Sequence, residues 1–267
     1  MISSAEVAKL AHSLGVGDRV IEKDYVLSWL LVAIAESGLK PALAFKGGTA
    51  LKRVYYPDYR FSEDLDFTFC ADLSHEGLVS AFEALWPALA RRVNLTLALH
   101  SAEQSVLGST TLLVDYVGPL RARLGSRQLK VDITRGERLL YPLTERPLHA
   151  PYSDFPVGVK ALAYTLEEIL TEKLCALIGR VEPRDLYDVY CLLEAGDVEM
   201  ASLPASFVAK CQHKGYDPAR LEDVMTRRVE TVRRLWQVRL AVQVVDLPHV
   251  DAVVRTVQRH LRRWALI

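Results

Sequence analysis

Phe45-Lys46-Gly47-Gly48-Thr49-Ala50-Leu51 and, a short way on, Arg60-Phe61-Ser62-Glu63-Asp64-Leu65-Asp66-Phe67 form the stretch that decides how the chain is read. Leu43 to Phe45 is a short apolar run that stops at two adjacent glycines, and from Thr49 the spacing of Leu51, Val54 and Tyr55 turns helical. Asp64 to Phe69 then alternates polar and apolar residues, as a strand does. A glycine pair between strand and helix lets the backbone approach a bulky anion closely. The helix that follows directs free N–H groups and its positive dipole end at the same point. A triphosphate suits such a turn, although the glycine pair taken alone is better explained as a tight turn at a helix start.

Asp64 and Asp66 change that balance. Residues i and i+2 of a strand project from one face, so both carboxylates point the same way. Two such charges about 4 Å apart repel by roughly 4 kcal/mol at an effective dielectric near 20. A divalent cation turns that repulsion into binding, and Mg²⁺ favours a few carboxylates together with phosphate oxygens. A solvated acidic edge strand would account for D-x-D by itself. It does not account for D-x-D placed just after a glycine turn, a helix and Arg60-x-Ser62.

Outward from this centre, Ala5 to Ser37 carries apolar residues at helical spacing, and a helix is expected from about Glu76 to Arg92. Strand-like stretches follow at Leu95–Leu99, Thr111–Val117 and Gln128–Ile133, with Val159–Tyr164 as a last strand. From Thr165 onward the pattern is nearly all helical. Thr165 and Glu168 form a capping box, Gly196 is a C-cap, and Asp217-Pro218 starts a long helix through about Val238. A basic amphipathic helix, His249–Ala265, closes the chain. The expected fold is α/β (α+β): a mixed-sheet lobe over residues 1–155 and a helical lobe over 156–267 that contributes to the active-site cleft.

Bulk properties set limits. Half of the 267 residues are hydrophobic and a quarter charged, as in a packed globular protein. No apolar run approaches the roughly 18 residues of a membrane helix, and the N-terminus has no secretory character. Cys70, Cys175, Cys191 and Cys211 lie far apart, which argues against a zinc site and a disulfide framework, so a reducing cytoplasm is expected. Zero formal charge disfavours the coating of long nucleic acids while leaving room for a local basic groove. The histidines show no metal spacing and no G-x-S-x-G elbow is present, so hydrolase chemistry has no support.

The glycine turn, helix and D-x-D together resemble the polymerase-β-like nucleotidyltransferases. The longer string GGTALKRVYYPDYRFSEDLDF is similar to the AbiEii/AbiGii-type toxins of bacterial toxin–antitoxin and phage-defence systems. Glu22-Lys23-Asp24-Tyr25, Lys173 within EEILTEKLCAL, and Arg184-Asp185-Leu186-Tyr187-Asp188 extend that resemblance from about Ile21 to Leu193. It implies Mg²⁺-dependent transfer (Mn²⁺ being a substitute) of a nucleotide from an NTP to an RNA acceptor such as the tRNA 3′ end, opposed by a cognate antitoxin.

Carried residue by residue, the resemblance implies Asp64, Asp66 and Asp132 as metal ligands, Asp132 assisting a second metal or deprotonating the acceptor. Asp115 is the rival for that place, and a strand-end turn former is the plain reading of Asp132. Gly47, Gly48, Thr49, Arg60 and Ser62 are the expected phosphate contacts, with Thr49 standing in for a serine that many relatives carry at the Gly48 position. Lys173 would grip the triphosphate, where otherwise it would snorkel to solvent. Asp185 and Asp188 are expected at the cleft, against a plain reading of helix capping plus an Arg184–Asp188 pair. Lys46, Lys52 and Arg53 are contacts to phosphates or to an RNA acceptor, or else solvated surface. The arginines from Arg227 to Arg263 are a solvated face or an RNA-docking one. Two rival functions remain: an antibiotic-type small-molecule nucleotidyltransferase, and a non-catalytic nucleotide-binding protein.

Overall fold

In a computed structural model that describes residues 1–267, the strand read at Asp64–Phe69 lies in the middle of a seven-stranded mixed sheet. Its strands are β1 (Leu43–Lys46), β2 (Asp64–Phe69), β3 (Thr96–Gln104), β4 (Thr110–Val117), β5 (Gln128–Thr134), β6 (Thr144–Pro147) and β7 (Lys160–Ala163). The spatial order is β3-β4-β5-β2-β1-β7-β6. β2 runs antiparallel to β1 and parallel to β5, and β7 runs parallel to β1. The chain divides into a unit of Met1–Glu137 with Leu143–Ala163, and a unit of Arg138–Pro142 with Tyr164–Ile267. The sheet lies wholly in the first.

Alternation along β5 and the first half of β2 gives the sheet two unlike faces there. On β5, Leu129, Val131 and Ile133 are buried while Gln128, Lys130, Asp132 and Thr134 are half-buried. β2 does the same with Leu65 and Phe67 against Asp64 and Asp66. The apolar face packs with Leu78 and Phe82 of α4 (His75–Glu83) and Leu89 and Val93 of α5 (Trp86–Val93) in the core. These two helices occupy the span expected as one. Pro87 at the start of α5 has no N–H to continue α4, so the chain begins a fresh turn there. The opening segment is likewise two helices, α1 (Ser4–Ser13) and α2 (Asp18–Ala35), separated at Gly15, whose φ is +64°.

Most of α2 is buried, and its charged residues are paired inside the unit. Glu22 accepts from the Leu120 N–H and pairs with Arg127. Asp24 pairs with Arg53 and accepts from the Tyr152 hydroxyl. The Tyr25 hydroxyl donates to Asp154 at 2.7 Å. Glu22-Lys23-Asp24-Tyr25 therefore clamps α2 to three separate chain segments.

The second unit contains α6 (Leu166–Gly179), α7 (Pro183–Ala195), α8 (Leu203–His213), α9 (Arg220–Asp223), α10 (Val229–Leu240) and α11 (Val250–Arg263). A π-helical turn, Val224–Arg228, joins α9 to α10. Half of the capping box forms: Thr165 Oγ1 accepts from the Glu168 N–H. The Glu168 carboxylate takes other partners, the N–H groups of Leu140 and Tyr141 and the fully buried Lys210. A buried ammonium needs a carboxylate more than a helix end does. Gly196 ends α7 with φ +74°, as its position suggested. No helix is long and apolar enough to cross a membrane.

Candidate active site

The polar face of the sheet carries the site. Register sets Lys46 of β1 opposite Asp66 of β2, Asp66 beside Asp132 of β5, and Asp132 opposite Thr111 of β4. One row down, Asp64 lies beside Lys130. Paired residues on neighbouring strands share a face, with Cβ atoms about 5 Å apart. Asp64, Asp66, Lys130 and Asp132 thus make the corners of a square. Asp115 is paired with Gln128, four residues down β4 from Thr111 and so about 13 Å from the Asp66–Asp132 row. Gln128 and His100 hold its carboxylate there, at 2.9 and 3.3 Å.

The glycine pair meets this square directly. Gly47 has φ +78°, a conformation that disfavours any side chain, and a Cβ placed there would lie 2.6 Å from Asp66 Oδ2. Gly48 faces Arg60 in the same manner, its notional Cβ 2.6 Å from Nη2. Arg60 is buried, and its Nη1 donates to the Phe61 carbonyl at 3.1 Å. The turn, the second aspartate and the buried guanidinium are therefore in contact. α3 (Gly47–Ala50) starts from this turn and runs on as a π-helical segment, Leu51–Tyr55. Thr49 is buried and its hydroxyl donates to the Asp64 carbonyl at 2.5 Å, fixing α3 to the start of β2. Ser62 is half-buried in the loop just before β2.

Lys52 and Arg53 serve the interior. Lys52 Nζ donates to the Tyr59 carbonyl at 2.7 Å and lies 4.2 Å from the Phe61 ring centroid, and burial pushes its pKa down to about 8. Arg53 donates to the His149 carbonyl besides pairing with Asp24. Lys46 is buried with its Nζ 3.7 Å from Glu137 Oε1.

Asp132 is engaged on both oxygens. Thr111 Oγ1 donates to Oδ1 at 2.7 Å, and Lys130 Nζ is 2.6 Å from Oδ2. Burial opposes the charge on Lys130, but the bond to Asp132 and the fields of Asp132, Asp64 and Asp66 raise its pKa overall. No three His, Cys, Asp or Glu side chains converge closely enough to hold a metal ion. Asp64 and Asp66 supply the hard, paired oxygen donors that a divalent cation favours, beside the Gly47-Gly48 turn. This donor set fits such an ion with two protein ligands.

In the second unit, Lys173 of α6 bridges both aspartates of α7. Its Nζ is 2.9 Å from Asp185 Oδ1 and 2.7 Å from Asp188 Oδ2, and both carboxylates are fully buried. Arg180, which nothing in the sequence singled out, grips Asp185 through Nε at 2.6 Å and Nη2 at 2.8 Å. Burial would raise the Asp185 pKa, but Lys173 and Arg180 hold it well below the usual carboxylate range. The guanidinium that closes on α7 comes from the turn before it rather than from Arg184. Among the basic helices, Arg227, Arg233 and Arg259 lie near Asp223, Asp251 and Glu194. Arg234, Arg239, Arg255, Arg262 and Arg263 are exposed.

Comparison with known proteins bears on the family and the fold. The model of a family described as nucleotidyl transferase AbiEii toxin, type IV TA system, matches residues 29–258. Comparison with curated protein sequences finds no match. Among solved structures, the chain is similar to MenT4, a nucleotidyltransferase toxin from Mycobacterium tuberculosis H37Rv. The TM-score is 0.74 at 19% identity, over 100% of this chain and 94% of that one. It is also similar to JHP933 from Helicobacter pylori, with a TM-score of 0.57 at 15% identity over 94% and 96% of the two chains. At these identities the likeness establishes a shared fold. The family match runs beyond Leu193 through most of the second unit, further than the resemblance read from the motifs. The chain belongs to the AbiEii family of nucleotidyl transferase toxins of type IV toxin–antitoxin systems.

Proposed function

We propose that the chain transfers a nucleoside monophosphate from an NTP to an RNA acceptor, the tRNA 3′ end, with Mg²⁺ at Asp64 and Asp66. The modification arrests growth, and a separately encoded antitoxin opposes it. The observation that carries the reading is the contact of Gly47 with Asp66 Oδ2. It sets the glycine turn against the Asp66 carboxylate. Bound there, Mg²⁺ would neutralise charge on the phosphates as the α-phosphorus is attacked.

The residues of the chain do the rest. The N–H groups at Gly47 and Gly48, the Arg60 guanidinium behind Gly48, and Ser62 hold the phosphates. Thr49 supports that turn from behind through Asp64, which makes its hydroxyl a fixing bond. Asp132 takes the proton of the acceptor hydroxyl, the freed oxygen bonds to the α-phosphorus, and the bond to the β-phosphate oxygen breaks to release pyrophosphate. Thr111 and Lys130 engage one site on each Asp132 oxygen, and a carboxylate has about four such sites, so acceptor capacity remains. Within the second unit, Asp185 and Asp188 hold the Lys173 ammonium in place. The exposed arginines of α10 and α11 supply a basic surface suited to an RNA backbone.

The test is transfer of label from each α-³²P nucleotide onto total cellular RNA, with and without Mg²⁺. Label on tRNA-sized RNA that requires the metal is the expected result. No label from any of the four nucleotides would reject an RNA acceptor. Label on an aminoglycoside in its place would turn the reading towards small-molecule transfer.

A further inference from the structure

Lys130 is the one cation at a corner of the carboxylate square. It lies beside Asp64 in the parallel register, on the same face as Asp66 and Asp132, and its Nζ is 2.6 Å from Asp132 Oδ2. Nothing in the sequence motifs points to it. In phosphoryl-transfer sites built on two metal ions, the pair sits about 3.5–4 Å apart and clamps both the attacking and the leaving oxygens. Such a site needs carboxylates free to bridge. Here each oxygen of the third carboxylate already carries a partner, Thr111 on one and the Lys130 ammonium on the other, and the sites left over are those the acceptor proton uses. No three carboxylates come together as a ligand set.

We infer that Lys130 takes the place of a second divalent cation. Its ammonium holds Asp132 beside the Asp64–Asp66 pair, and the enzyme works with a single metal ion. Lys130 already places one positive charge among the three carboxylates. A second ion would add two positive charges beside a fixed ammonium. Lys130 acts through Asp132 and is a positioning residue: it sets where the acceptor-side carboxylate stands and keeps a competing cation out. Thr111, in register with Asp132, braces the same carboxylate from β4.

The inference rests on Asp64 and Asp66 as the metal pair, and one experiment separates the two claims. The chain is dialysed to equilibrium against Mn²⁺ and an equimolar mixture of the four α,β-methylene nucleoside triphosphates, which cannot be transferred. Mn²⁺ is then measured on both sides of the membrane. Wild type is expected to retain one ion, Lys130→Gln two, and Lys130→Arg one. The Lys130 side chain is 42% exposed, so its removal leaves the fold standing, which thermal melting checks. Two ions in wild type, or one in Lys130→Gln, would overturn the role of Lys130. No retained ion in wild type would overturn the Asp64–Asp66 pair and the inference with it.

Discussion

Replacing Gly47 by alanine gives a sharp test of how the glycine turn and the carboxylate pair depend on each other. Its φ of +78° costs a side-chain-bearing residue about 1–2 kcal/mol. That part is shared by any glycine in the same backbone region. The second part is specific: the new Cβ would stand 2.6 Å from Asp66 Oδ2, against an ordinary contact of 3.4 Å or more. The carboxylate would have to retreat by about 0.8 Å, and displacements near 1 Å at a reacting centre cost on the order of 10²-fold in rate. Gly125→Ala is the control, with φ +85° and nothing within 4 Å of the added Cβ. Both variants are expected to lose about 1–2 kcal/mol in urea unfolding. Only Gly47→Ala should lose about 10²-fold in nucleotide transfer. Equal activity in the two variants would refute the proposed coupling.

Three further outcomes follow from particular contacts. Thr49→Val removes the buried bond to the Asp64 carbonyl and should cost on the order of 1–3 kcal/mol, measured by denaturant unfolding, with Thr49→Ser restoring most of it. Glu22→Gln should destabilise the first unit by about 1–3 kcal/mol through the loss of its Arg127 pairing, while NTP affinity in equilibrium dialysis stays unchanged. Asp185 has its folded pKa held below the unfolded value near 3.9, so the unfolded chain takes up that proton first as pH falls. The stability it contributes is therefore present above about pH 4 and lost as pH drops further. Acid unfolding followed by circular dichroism should move to higher pH in Arg180→Gln, and no movement would dismiss the buried ion cluster as a source of stability.

The centre of the site was legible because its chemistry is local. The period-two alternation of Asp64–Phe69 and the glycines at a strand-to-helix switch need only neighbouring residues to be read. What could not be read depends on register. Lys46 and Lys130 look like ordinary surface lysines until strand pairing sets them beside Asp66 and Asp64. Asp132 was reached by resemblance to a family; its partner Lys130 is two residues before it on β5, and Thr111 reaches it from the neighbouring β4. β6, Thr144–Pro147, is short and mostly exposed, without the alternation of β5. Thr49 and Glu168 each had an alternative partner supplied by tertiary packing, the Asp64 carbonyl and Lys210. Cys175 and Cys211, far apart in the chain, bring their sulfur atoms to 3.4 Å as free thiols.

The most direct test is nucleotide transfer by Asp66→Asn beside the wild-type chain at matched NTP and Mg²⁺, with thermal melting to show that both are folded. Asparagine keeps the shape of the side chain against Gly47 and removes its charge. The expected result is transfer reduced to background in a variant that melts with the wild type. Undiminished transfer by the folded variant would contradict the account, because the carboxylate pair beneath the glycine turn would then not be the reacting centre.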